Sequence, residues 1–163
     1  KLETYVDAKH DLIRIARTLR ADYGLAPSQK VDFIVRPAQD SDAERLLADQ
    51  SSIASLLRAN QISVETGFEP SGAMPSGLSQ LGTIYMPLDG LVDVEAEIAR
   101  LTGQLDKVEG DLNGVTRKLD NINFVSKAPA HVVDLQKTRK KELLEKRDKL
   151  QELIQTLSGG QEN

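Results

Sequence analysis

The sequence has no cysteine and no tryptophan, and only three tyrosines and three phenylalanines among its 163 residues. Without cysteine there can be no disulfide, no thiolate metal site and no cysteine nucleophile, which is compatible with a cytosolic protein. With so few aromatics, any core must be aliphatic. No stretch approaches the ~18 consecutive apolar residues of a membrane span, and the first residues lack a signal-peptide pattern, so a soluble protein with no membrane partner is expected. Catalytic chemistry is equally scarce. The two histidines, His10 and His131, fall in different predicted units, and neither a Gly-x-x-x-x-Gly-Lys-Ser/Thr phosphate loop nor a Gly-x-Ser-x-Gly elbow occurs. Asp7, His10 and Asp11 could be drawn as a metal cluster, but they read as the solvated face of a helix. No catalytic, cofactor-binding or metal residue is assigned.

What the chain has is a heptad repeat. Leu91, Val94, Ile98, Leu101, Leu105, Val108, Leu112, Val115, Leu119 and Ile122 alternate steps of three and four, the seam of a supercoiled helix. Val133, Gln136, Lys140, Leu143, Arg147, Leu150, Ile154 and Leu157 repeat the spacing after a break at 123–129. The two segments predict an antiparallel hairpin over 89–158, with Asp89 available to cap the first helix and a tail over 159–163 left disordered. A helix from 89 to 122 would be roughly 50 Å long. Facing layers pair Leu112 with Leu143, Leu105 with Leu150, and Ile122 with Val133. Lys140 and Arg147 would lay their methylenes along the seam. That register divides the hairpin into a well-packed stem and a poorly packed tip. Gly103, Gly110 and Gly114 sit at outward positions and either admit a close backbone or are simply tolerated.

Charge is distributed unevenly along this hairpin. Between Val115 and Lys141 seven bases, Arg117, Lys118, Lys127, Lys137, Arg139, Lys140 and Lys141, face two acids, Asp120 and Asp134. That stretch carries +5, so the remainder carries −9 to give the net −4 of the whole. The register brings Asp111 near Lys146, an attractive pair, and Lys118 near Arg139, a repulsive one. A basic tip on an acidic body fits a polyanionic partner, with nucleic acid the first candidate. Phe124 at the turn either plugs the end of the seam or offers a face for a nucleobase. A protein-docking or dimerising coiled coil is the alternative, as is the nucleic-acid-binding hairpin of a translation-associated ATPase.

The first 88 residues read as a small α+β base. An amphipathic helix over 1–23 ends at Gly24 and Pro27, and its apolar face has no evident partner. Strands are expected at 31–35, 62–65 and 83–87, with one helix at about 41–59 crossing between the first two and covering a three-stranded sheet. The helical crossover makes that first pair parallel. Residues 67–80 hold so many Gly, Pro and Ser that a loop is expected there.

Longer motifs carry a resemblance. Met86-Pro87-Leu88-Asp89-Gly90-Leu91-Val92-Asp93-Val94-Glu95-Ala96-Glu97-Ile98-Ala99-Arg100-Leu101, Lys118-Leu119-Asp120-Asn121-Ile122-Asn123-Phe124-Val125 and Lys127-Ala128-Pro129-Ala130-His131-Val132-Val133 resemble the C-terminal coiled-coil arm of bacterial-type valyl-tRNA synthetases. Leu12 to Tyr23, with Pro27 and Ser28, is similar to the last helix of that family's anticodon-binding domain, and the resemblance covers nearly the whole chain. It implies a C-terminal fragment whose first helix packs on an absent helical bundle. The family's His-Ile-Gly-His and Lys-Met-Ser-Lys-Ser signatures and its editing domain are missing. The full-length enzyme would use ATP and magnesium to join valine to its tRNA, whereas the fragment holds no cofactor. The arm would contact the outer corner of tRNA(Val) through Arg117, Lys118, Phe124, Lys127, Lys137, Arg139, Lys140 and Lys141. Arg17 and Arg20 match a paired-arginine pattern of the family, and ion pairing is the role expected of them. A cytoplasmic monomer is implied.

Overall fold

The structure is a computed structural model that describes residues 2–159. Of the tail expected to be disordered at 159–163, Gly159 instead ends the last helix and 160–163 lie outside the described residues. The elements are α1 (Leu2–Asp22), β1 (Asp32–Pro37), α2 (Asp40–Ala48), α3 (Gln50–Leu57), β2 (Gln61–Val64), β3 (Ser76–Ser79), β4 (Gly82–Tyr85), α4 (Val94–Asp120), α5 (Ile122–Lys127) and α6 (Ala130–Gly159). The class is α+β, as expected: an N-terminal helix, a sheet, then a long helix pair packed antiparallel. Two compact units divide the chain. One runs up to Asp93 and includes the end of the last helix from Thr156; the other is Val94–Gln155. None of the described helices is long and apolar enough to cross a membrane.

The sheet has four strands, not three, in the order β2-β1-β4-β3. β1 and β2 pair parallel, as the helical crossover requires, and β4 runs antiparallel to both β1 and β3. The additional strand, β3, lies inside the segment read as loop. Its composition misleads because Gly77 meets a local need. A Cβ there would overlap the Cγ2 methyl of Ile15 on α1, so only glycine lets the helix lie this close to the strand. β3 and β4 are joined through Gln80 and Leu81, and the Ser79 hydroxyl donates to the Gly82 carbonyl at 2.8 Å while accepting from the Leu81 N–H at 3.2 Å.

The first helix has its partner within this chain. Leu12, Ile13, Ala16, Leu19 and Tyr23 are buried, as are the sheet residues Phe33, Val35, Ile62 and Ile84. Phe33 pairs with Ile62, and Ile84 with both Val35 and Gly77, so these share the face on which α1 lies. Each fully buried side chain of this size contributes about 1.5–3 kcal/mol. The expectation of an apolar face waiting for an absent bundle is corrected by this packing.

The single helix expected at 41–59 is two. It breaks at Asp49, where φ is −107° and ψ 8°. The Asp49 carboxylate receives Lys9 at 2.6 Å and the Tyr5 hydroxyl at 3.3 Å, which ties the break to α1. That burial and the neighbouring carboxylate push the Tyr5 pKa up to about 12. On the opposite face of the sheet the Arg36 guanidinium lies 5.5 Å from the Tyr85 ring centre and donates to the Phe68 carbonyl at 2.9 Å. Phe68 packs on Tyr85 with 5.0 Å between ring centres, so the segment leading to β3 closes this face.

Candidate nucleic-acid interface

α4 begins at Val94, not at Asp89. Gly90 adopts φ 77° and the Leu91 N–H closes a turn on the Leu88 carbonyl at 3.0 Å, so Asp89 lies in a turn before the helix and does not cap it. Glu95 and Glu97 occupy the first turn, where the helix dipole favours acids. Twenty-seven residues make α4 about 40 Å long at ~1.5 Å per residue, shorter than the heptad count implied.

The seam is buried at Leu101, Val108, Leu112 and Val115 of α4 and at Val133, Leu150, Leu153 and Leu157 of α6. Leu153 takes a place that the spacing gave to Ile154, which is half-exposed. Leu105 and Leu143, expected at the centre of the stem, are half-exposed, whereas Val115 and Val133 near the tip are buried. Packing therefore does not decline steadily toward the tip.

Ile122 is 82% exposed and has left the seam, because the helix stops before it. The Asn121 side chain accepts the Asn123 N–H at 3.0 Å and starts a separate short helix, α5. α5 ends at Ala128, whose extended backbone is what the following Pro129 demands, and the Pro129 carbonyl then accepts the N–H groups of Val132 and Val133 to open α6. The tip is thus a helical turn held by local capping.

Arg117, Lys118, Lys127, Lys137, Arg139 and Lys141 are exposed and Lys140 is half-buried. None of the seven enters an ion pair among the described residues, and the expected Asp111–Lys146 bridge is not formed. Ion pairs in the arm include Arg100 with Glu97 and, at 3.1 Å, Arg147 with Asp148. The tip also carries apolar surface. Phe124 is half-exposed, and Val125 and Leu135 are 42% and 68% exposed alongside Ile122. Exposed cations interleaved with apolar side chains can meet both phosphates and bases. Leu135 went unnoticed in the sequence, although it sits off the seam spacing and that signal was available, and Ile122 was counted there as a seam residue. At Gly103, Gly110 and Gly114 a Cβ would meet open space, so no neighbour requires these glycines.

Among the described residues Arg17 and Arg20 form no carboxylate pairs. They close the end of α3: Arg17 donates to the Leu56 carbonyl at 3.0 Å, and Arg20 to Leu57 and Ala26 at 2.9 Å each and to Gln29. Arg20 is 6% exposed, and burial, followed by the charge of Arg58, lowers its pKa. His10 is exposed, and Asp11 holds Arg14 at 2.6 Å.

The geometry is that of an antiparallel helical arm whose seven tip bases have no ion-pair partner among the described residues, and residues 93–158 match the family model described as "Valyl tRNA synthetase tRNA binding arm". Over 143 residues the chain is 39% identical to the valine–tRNA ligase of Nitratidesulfovibrio vulgaris, covering 88% of this chain and 16% of that protein. It is 30% identical over 149 residues to that of Bacillus subtilis (91% and 17%) and 36% over 123 residues to that of Gluconobacter oxydans (76% and 14%). The chain belongs to the valine–tRNA ligase family, in the C-terminal region that carries the tRNA-binding arm. It spans about a sixth of the length of these relatives, and the catalytic domain is absent from it.

Proposed function

We propose that Arg117, Lys118, Lys127, Lys137, Arg139, Lys140 and Lys141, with Phe124 beside them, hold tRNA(Val) at its outer corner, where the D and T loops meet. By that contact the arm strengthens and orients tRNA binding during aminoacylation. The observation that carries this reading is the set of seven tip bases, all without an ion-pair partner among the described residues. Phosphates would neutralise them and release counterions. The name of the relatives supports a full-length ligase that joins valine to its tRNA, and the proposal extends to its use of ATP and magnesium, to a cytoplasmic monomer and to the absence of a membrane partner. In this reading the small α+β base (1–88) supports the arm (89–158).

Titrating labelled tRNA(Val) with the chain tests the assignment. Replacing Lys118, Arg139, Lys140 and Lys141 with Ala should weaken binding roughly tenfold or more at low salt. Undiminished binding would sink it. Sedimentation equilibrium addresses the dimerising alternative, since a hairpin that covers its own seam stays monomeric and an unpaired seam associates.

A further inference from the structure

Away from the arm, the end of α3 gathers positive charge that the fold does not need. α1 and α3 close on the same backbone arrangement. After α1, the Gly24 N–H bonds the Ala21 carbonyl and the Leu25 N–H bonds Arg20; after α3, the Arg58 N–H bonds Ser55 and the Ala59 N–H bonds Ala54. The residue at the pivot must be left-handed, and glycine is its usual occupant. Gly24 fills it at φ 65°, but at the end of α3 the residue is Arg58, at φ 51° and ψ 36°, the one non-glycine with positive φ among the described residues. Backbone strain of this kind persists where something else is gained.

Capping does not explain the arginine. The last four carbonyls of α3 already have donors: Ala54 and Ser55 from the backbone, Leu56 from Arg17 and Leu57 from Arg20. The Arg58 side chain is exposed and makes no hydrogen bond or ion pair among the described residues. It lines a recess of about 410 Å³ with Arg17 and Arg20 over an apolar floor that includes Leu25 and Leu56. On its other side it shares a second recess with Lys30. No carboxylate lines either one. Cations crowded without acids, in a chain of net charge −4, are relieved by a bound anion.

We propose that Arg58, Arg17 and Lys30 form a second phosphate-binding site, on the base and distinct from the arm, that takes backbone phosphodiesters of an RNA. Arg58 offers all five donors of its fork and Arg17 those not spent on Leu56, while Lys30 adds a point charge. Arg20, saturated by carbonyls, is the scaffold behind them. The recesses are shallow and open, so they suit a phosphate presented on a chain better than a free anion enclosed by donors.

The test uses the full chain with a tRNA(Val) transcript at several salt concentrations, in the wild type and in Arg58→Gly, which removes the charge and suits the left-handed backbone. Arg58→Gly is expected to melt no lower than wild type, to bind severalfold more weakly at low salt, and to make the slope of log K against log salt shallower by about one. Lys30→Ala, at a position free of backbone strain, should weaken binding in the same direction. The same losses are expected in a chain whose tip bases are already Ala, which separates failure of this site from failure of the tip. Unchanged affinity and slope in both variants would overturn the proposal. Inorganic phosphate is the second probe: if it perturbs the Arg58 and Arg17 guanidinium NMR signals while tRNA binding is insensitive to both variants, the site belongs to a free phosphate compound and the RNA assignment is wrong.

Discussion

Replacing Arg20 with Met would remove the guanidinium that closes α3 while keeping most of the aliphatic stem. The Leu57 carbonyl is buried with it and would lose its donor, a penalty of about 1–3 kcal/mol. The Ala26 and Gln29 carbonyls are partly buried and would cost about 1 kcal/mol together after rehydration. Loss of a cation at the C-terminal end of α3 adds about 0.3–1 kcal/mol. Against these stands the relief of a charge buried beside Arg58 with no carboxylate, so the net loss should be about 2–4 kcal/mol. With a urea dependence of ~1–3 kcal/mol per molar, the unfolding midpoint falls by roughly 0.7–4 M. Tyrosine fluorescence is the suitable probe, because Tyr5, Tyr23 and Tyr85 all precede the arm. A loss below about 0.5 kcal/mol would refute the idea that this arginine holds the base together through carbonyls.

Gly77→Ala should destabilise the same unit by about 1–3 kcal/mol, because the new methyl meets Ile15; an unchanged tyrosine-detected midpoint would mean that α1 does not lie on β3. In the arm, Gly103→Ala, Gly110→Ala and Gly114→Ala should each stabilise by up to ~1 kcal/mol, read as a rise in the helix-detected melting temperature. Phenolate absorbance on alkaline titration should show a step near 12 from Tyr5, and Tyr5→Phe should remove that contribution. The sign follows from the raised value: the protonated phenol favours the fold, so this contribution is complete below pH ~10 and is lost as pH rises through about 12.

The arm was legible in the sequence because a heptad repeat is a long-range signal carried by many residues at once. Its ends were not. Ile122 keeps the spacing yet lies outside the seam, since Asn121 caps a new helix and local hydrogen bonding outweighs periodicity. Leu91 likewise continues the repeat into a turn that Gly90 makes possible. In the base, the parallel β1–β2 pair followed from its helical crossover, but β3 was hidden because the residue that a close helix demands, Gly77, is also a turn former. The partner of α1 was hidden for a related reason: an apolar face announces burial without naming what covers it. The basic tip is visible in the sequence as a run of charge, whereas the cations around Arg58 come together only in three dimensions, from positions 17, 30 and 58.

The central claim is that nucleic acid meets this chain at the tip of its arm. Its most direct measurement is lysine acetylation read by mass spectrometry, with and without saturating tRNA(Val). The account predicts that Lys118, Lys127, Lys137, Lys140 and Lys141 become protected while Lys107 and Lys146, farther down the arm, react as before. Equal protection of all seven, or none at the tip, would contradict it.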